Sequence, residues 1–375
     1  MTQNKWRMAA AGVIAAGGAW CAAGPTDAPQ AATQRAVERG IEFLLAGQQP
    51  DGGWKLMDRT DPAITALAAK AIMQYPQYGP NHPAVLRAIG FIRAHVQSDG
   101  GIYAPDSGYQ NYQTSVCLMA LSAANDSSLK ATIDQAQAYL KKGQWDEAEG
   151  VDGNNAWYGG AGYGKNKRPD LSNTQMMLEA LAQSGLPQDD PVYVKALVFI
   201  SRSQMRSESN DQQFAGGHGD GGFIYSPANG GESKAGYVDG DTDRRLRSYG
   251  SMTYAGFKSL LYCGLHRDDP RVRAALEWIQ QYYTLDENPN MPGAQSRQGL
   301  YYYYHTFARA LDAWGQDEIT DAEGQPHRWR DELCAKLVSL QRSDGSWVNQ
   351  ADRWYEGNPY LVTAYALLAL ETAAR

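Results

Sequence analysis

Six times along the chain a threonine stands near the start of an almost wholly apolar stretch: Thr65, Thr114, Thr174, Thr253, Thr306 and Thr363. The residues that follow are apolar or small, as in Val116–Leu121 and Tyr365–Leu370. A helix apolar nearly all round must be buried on every side. Each such segment is preceded by another of amphipathic helical period, such as Pro191–Ile200 or the run from Pro270. Asp189–Pro191 and Asp268–Pro270 offer a cap followed by proline in the first turn. Glycine-rich turns join the two: Gln48–Trp54, Gln97–Tyr103 and Gln341–Trp347, with Asp220–Phe223 and Asp152-Gly153 as looser copies. Asp-Gly and Gly-Gly supply the positive φ that such turns need. Strand-like alternation is absent over any useful length. Six hairpins, approximately 31–75, 83–124, 127–184, 189–264, 268–315 and 327–373, predict an all-α, closed (α/α)6 toroid. Its inner axes should be parallel and its threonines at one level. The alternative, an open superhelix of helix pairs, needs polar capping pairs at both ends. The last inner segment is as apolar as the middle ones.

The N-terminus reads differently. Lys5 and Arg7 precede the apolar stretch Met8–Trp20, and small residues follow at Cys21-Ala22-Ala23. This is the pattern of a signal peptide over 1–24, leaving a single toroid domain over 25–375. The apolar stretch is too short for a membrane-spanning helix, which needs about 20 residues. Trp20 disfavours lipid attachment at Cys21, so cleavage near Ala23 and an extracytoplasmic protein, periplasmic or secreted, are expected. With 34 Lys+Arg against 41 Asp+Glu and a net charge of −7, no basic excess recommends a nucleic acid or an anionic membrane as partner. The four scattered cysteines exclude a disulfide scaffold and a Cys-rich zinc module.

The repeats carry a resemblance. Arg39-Gly40, Phe43-Leu44, Gln48, Gly52 and Trp54 match the spacing of the QW repeat of squalene–hopene cyclases. Lys195–Gln204 matches its first half, and Gln341–Trp347 its second. The chain therefore resembles the prenyltransferase/squalene oxidase-repeat superfamily, which also includes the β-subunits of protein prenyltransferases. That resemblance implies functional residues just before the repeated threonines, at the mouth of the inner barrel. The cyclase acid motif corresponds to Asp170-Leu171-Ser172-Asn173-Thr174, with Ser172 where the acid stands. A hydroxyl is no strong general acid. The prenyltransferase zinc positions correspond to Tyr302, Tyr304 and Val362, which form no ligand set. The resemblance thus implies no zinc, and nothing in the sequence calls for a cofactor.

Within this frame the candidate catalytic residues are Asp170 and His305. The candidate substrate-binding residues are Tyr112, Ser172, Asn173, Tyr249, Tyr302 and Tyr304, and all of these except Tyr112 are expected to converge on one cavity. Tyr301–His305 is the least ordinary run, and successive positions turn by about 100°, so its side chains cannot share one face. Aromatic walls suit a carbocation through cation–π attraction, or a sugar through stacking. The bland alternatives are packing tyrosines, a structural His305, and an Asp170 that merely caps its helix. Residues 205–247 form a long Gly-, Ser- and Asp-rich insertion expected to act as a lid. Within it Asp239–Asp243 opens like a calcium loop, but Arg244 stands where glycine is wanted and the closing Glu is missing, which favours a solvated turn. Three functions compete. One is an exported protein that binds or transforms an apolar, isoprenoid-type ligand. Another is a carbohydrate lyase or hydrolase, which wants two opposed carboxylates. The third is a non-catalytic scaffold for a protein partner.

Overall fold

The computed structural model describes residues 28–164, 166–216, 219–240 and 244–375. The predicted signal segment, His218 and most of the Asp239–Asp243 turn lie outside them. Among the described residues twelve α-helices alternate in role. The outer ones are α1 (Ala28–Gly47), α3 (Pro83–Ala94), α5 (Lys130–Lys142), α7 (Pro191–Ser203), α9 (Pro270–Gln281) and α11 (Trp329–Leu340). The inner ones are α2 (Pro62–Gln74), α4 (Gln110–Ala123), α6 (Leu171–Gln183), α8 (Gly250–Tyr262), α10 (Leu300–Trp314) and α12 (Pro359–Ala373). Each inner helix packs on the next, and α12 returns to α2. In the outer layer α1 packs on α11 and α12, so both layers close. The result is the expected (α/α)6 toroid, with only short antiparallel ribbons between helices. One, Gln204–Arg206 with Gly219–Phe223, opens the long insertion.

Burial follows the two sequence patterns. In α2 every residue from Pro62 to Met73 is buried, whereas α3 buries Ala84, Val85, Ala88, Ile89, Phe91 and Ile92, one stripe facing inward.

The threonines are structural. Thr65, Thr114, Thr174, Thr253 and Thr363 accept hydrogen bonds of 3.0–3.1 Å from the backbone N–H of Trp54, Ile102, Ala161, Phe223 and Trp347. Each bond fastens an interhelical turn to the inner helix it feeds. A glutamine at the end of the outer helix fastens the same turn outward. Gln48 Nε2 donates to the carbonyls of Gly52 and of Ala84 in α3, and Gln204 Nε2 to those of Gly221 and of Arg271 in α9. Gln341 Nε2 does the same with Gly345 and Ala36, which stitches the last turn to the first helix. The third turn corrects the sequence reading. Gln144 donates to Gly159 and Val192, so the counterpart of Gly52 is Gly159, and Asp152-Gly153 belongs to an intervening loop. Gly159 has φ +81°, and a Cβ there would lie 1.8 Å from the Lys195 carbonyl oxygen.

One inner helix departs from the pattern. Helix α10 begins six residues before Thr306, where the others begin three or four before theirs. Its N-cap is Gly299, which has no side chain to offer the exposed amides. Glu356, from the turn before α12, reaches across instead, and its Oε1 accepts from the Tyr302 N–H at 2.8 Å.

Candidate functional site

All six inner helices present their N-terminal ends to one cavity. It is lined by Asp61, Ala63 and Ile64 from α2 and its cap, Tyr112 and Gln113 from α4, and Ser172 from α6. Tyr249, Ser251 and Met252 come from α8 and its cap, Tyr302 from α10, and Leu361 and Tyr365 from α12. The inner axes are therefore parallel. The insertion adds Tyr225 and Lys234, and the α11–α12 connection adds Trp354, Tyr355 and Glu356. Nine lining side chains are aromatic, eight tyrosines and Trp354. The cavity volume is about 170 Å³, room for roughly six waters and below the roughly 300–1,000 Å³ of ordinary drug-sized ligand sites.

The floor is a layer of hydroxyl contacts across the barrel. Tyr112 and Tyr365 meet at 2.7 Å, Ser172 and Tyr302 at 3.0 Å, and Gln175 Nε2 donates to the Tyr302 hydroxyl at 3.0 Å. These join α4 to α12 and α6 to α10, so the cavity ends here. At the rim the Tyr109 and Tyr355 hydroxyls meet at 3.2 Å. Trp354 and Tyr355 both hold positive φ, 59° and 66°. Two consecutive non-glycine residues in that region store strain, and they are what bring two aromatic side chains to the mouth.

Of the eight candidate residues, Tyr112, Ser172, Tyr249 and Tyr302 line this cavity. The other four do not. Asp170 is the N-cap of α6, and its carboxylate accepts from the Asn173 backbone N–H at 2.8 Å and from Asn173 Nδ2. It lies behind the wall, facing the hydroxyl of Tyr225, and burial raises its pKa to about 6 against those hydrogen bonds. Asn173 is spent on that contact and is not at the surface of the cavity. Tyr304 points away, its hydroxyl donating to the Leu285 carbonyl at 2.7 Å. His305 lies within the barrel, stacked on Tyr365 with ring centroids 5.4 Å apart. Burial drives its pKa down to about 3, so it is neutral at physiological pH. Asp170 and His305 therefore do not form an acid–base pair.

The barrel interior also holds charges that sequence reasoning missed. Glu179 in α6 accepts from Arg309 Nε of α10 at 2.8 Å and pairs with Lys258 of α8. Burial works against its ionisation, but Lys258 and Arg309 outweigh it and hold its pKa well below the usual value. Lys70 of α2 donates to Gln183 of α6. Lys70, Glu179 and Lys258 each stand five residues after their helix's threonine, a shared offset that could have marked one polar layer.

The carboxylates nearest the cavity are caps. Asp61 accepts from the Ala63 and Ile64 N–H groups of α2 and from Gln113. Asp170 caps α6, and Glu356 caps α10 while also accepting from Asn349. Helix N-termini favour negative charge, which accounts for their placement. Burial nonetheless dominates at Glu356 and raises its pKa to about 7. Among the described residues no group of three or more His, Cys, Asp or Glu side chains is arranged to hold a metal ion, and no helix is long and apolar enough to cross a membrane.

Fold and site together define a closed (α/α)6 toroid with an aromatic cavity at its inner-helix N-terminal mouth. No protein-family model matches the sequence, and no curated protein matches it significantly. Solved structures do share the fold. A variant of the type II terpene cyclase MstE from Scytonema aligns over 92% of this chain and 98% of its own, at 15% identity and TM-score 0.57. D-mannose isomerase aligns over 91% and 96%, at 12% identity and TM-score 0.57. An alpha-amylase from Clostridium perfringens aligns over 90% and 97%, at 13% identity and TM-score 0.56. At these identities the likeness is one of fold.

Proposed function

We propose that this is an exported toroid protein that binds an apolar, prenyl-type ligand in the aromatic cavity. The observation that carries the reading is the cavity wall: nine aromatic side chains over a floor whose hydroxyls bond to one another. Polar groups already paired recognise little, so the surface left to a ligand is chiefly ring faces, Ile64, Met252 and Leu361. One MstE structure holds geranylgeranyl dihydroxybenzoate as substrate, which supports a prenyl ligand for a barrel of this shape. The pattern of residues 1–24 supports export.

The site favours binding over alkene protonation. Ser172, at the position of the cyclase acid in the resemblance, spends its hydroxyl on Tyr302. Asp170 does not line the cavity, and a carboxylic acid of pKa about 6 is far too weak to protonate an isolated alkene readily. Asp61 and Glu356, both in the lining, are what a sugar-processing reading would use.

The test is direct. The full-length protein is titrated with farnesol and, separately, with linear oligosaccharides, following binding by isothermal titration calorimetry. Saturable binding of farnesol alone is expected. Saturation by an oligosaccharide and not by farnesol would overturn the prenyl reading in favour of the carbohydrate one, and binding of neither would favour the scaffold.

A further inference from the structure

We propose that the ligand of this cavity carries an anionic group, a carboxylate or a phosphate, at the end that meets the 205–247 insertion, and that Lys234 receives it. This rests on the prenyl-binding reading and adds the polar end of the ligand.

Lys234 is the one cationic side chain in the cavity lining among the described residues. An ammonium has three N–H donors, and the partner recorded for this one is Glu232. That carboxylate is shared, because Arg168 pairs with its other oxygen. Two cations share that one carboxylate, and the next anion, Asp170, is buried behind the Tyr225 ring and outside the lining, which leaves Lys234 as the charge that meets the cavity. Both cations lie against the same wall, Lys234 Nζ 4.3 Å and the Arg168 guanidinium carbon 5.9 Å from the centre of the Tyr225 ring. Lys234 is held half-buried, its side chain 22% exposed, so an incoming anion meets a charge only partly screened by water.

The two carboxylates of the lining cannot play this part. Asp61 and Glu356 are acceptors already committed to the amides of α2 and α10. A chain with one anionic end therefore has a single favourable orientation: its head between Lys234 and Arg168, its apolar length over Tyr249, Met252 and Ile64. The Glu232 carboxylate, bonded to both cations in the free protein, acts as a stand-in that the ligand's anion displaces or joins.

Three probes with the same fifteen-carbon chain separate the possibilities: farnesol, farnesoic acid and farnesyl monophosphate, titrated at pH 7.5 into the full-length protein and its Lys234→Met and Lys234→Arg variants. The wild type is expected to bind at least one anion about tenfold or more tightly than the alcohol, with the preference falling as salt is raised. Whichever anion binds more tightly names the head group. Lys234→Met should bring the anion to within about threefold of the alcohol measured on the same variant, and Lys234→Arg should restore the preference. Equal affinity for all three in the wild type, or a preference that survives Lys234→Met, overturns the assignment to Lys234 while leaving the prenyl reading standing. Binding of none of the three overturns both.

Discussion

Replacing Gly159 by alanine tests how the ring is stitched together. The residue sits at φ +81°, where a side chain costs roughly 1–2 kcal/mol. The larger difficulty is contact, since the new Cβ would lie 1.8 Å from the Lys195 carbonyl oxygen, a backbone atom of α7. The turn and α7 must separate, and Gln144 bridges that gap, donating to Gly159 at 2.9 Å and to Val192 at 3.0 Å from a buried position. Each buried bond lost costs on the order of 1 kcal/mol. Together these give about 3–5 kcal/mol, a fall of about 4–7 °C in Tm for a chain of this size. Gly153→Ala is the internal control. It has no atom within 4 Å of the added Cβ and no positive φ, so its effect should stay within about 0.5 kcal/mol. Thermal and urea unfolding of the two variants side by side settles the matter. Equal losses, or a Gly159→Ala protein as stable as the wild type, would refute the account of the third turn.

Glu356→Gln should change how stability depends on pH. The folded pKa near 7 lies above the ordinary 4.5, so the fold prefers the protonated form. Its contribution is complete below about pH 4.5 and is lost as pH rises through 7, and the wild type should lose about 3 kcal/mol relative to Glu356→Gln across that window; urea midpoints giving a flat difference curve would contradict this. Tyr302→Ala, which opens the floor, should weaken retention of farnesol by roughly tenfold or more. Tyr304→Phe, which loses only the bond to Leu285, should cost about 1 kcal/mol of stability and leave retention alone; the opposite ranking of the two would place the cavity on the wrong face of α10.

The ring was legible in the sequence because each of its constraints is local. A threonine five times accepts the same turn amide, a glutamine four times reaches the next outer helix, and apolar or amphipathic period sets the layer. Where an insertion separated these pieces the reading failed, as at Gly159, because Asp152-Gly153 carries the composition of the turn without its partners. The charged layer of Lys70, Glu179, Lys258 and Arg309 was marked in the sequence only by the shared five-residue offset of the first three from their threonines. Each charge is a single polar residue inside an apolar helix, and only the ring brings them within reach of one another.

The misplacing of Tyr304 traces to one assumption, that equal distance from the repeated threonine means equal direction in space. It holds for α4 and α6, where Tyr112 and Ser172 precede their threonines by two and both line the cavity. It fails in α10, where the position two before Thr306 is Tyr304, turned outward to Leu285. The added turn of helix makes Tyr302, four before the threonine, an inward-facing helical residue, whereas the equivalent Asp61, Asp170 and Tyr249 are non-helical caps. That same added turn exposes amides which Gly299 cannot satisfy, and so it requires a carboxylate from elsewhere. Glu356 enters the cavity wall for that reason, and no local pattern around residue 356 announces it. Helix length in one repeat thus decides both which tyrosine forms the floor and why Glu356 enters the cavity wall.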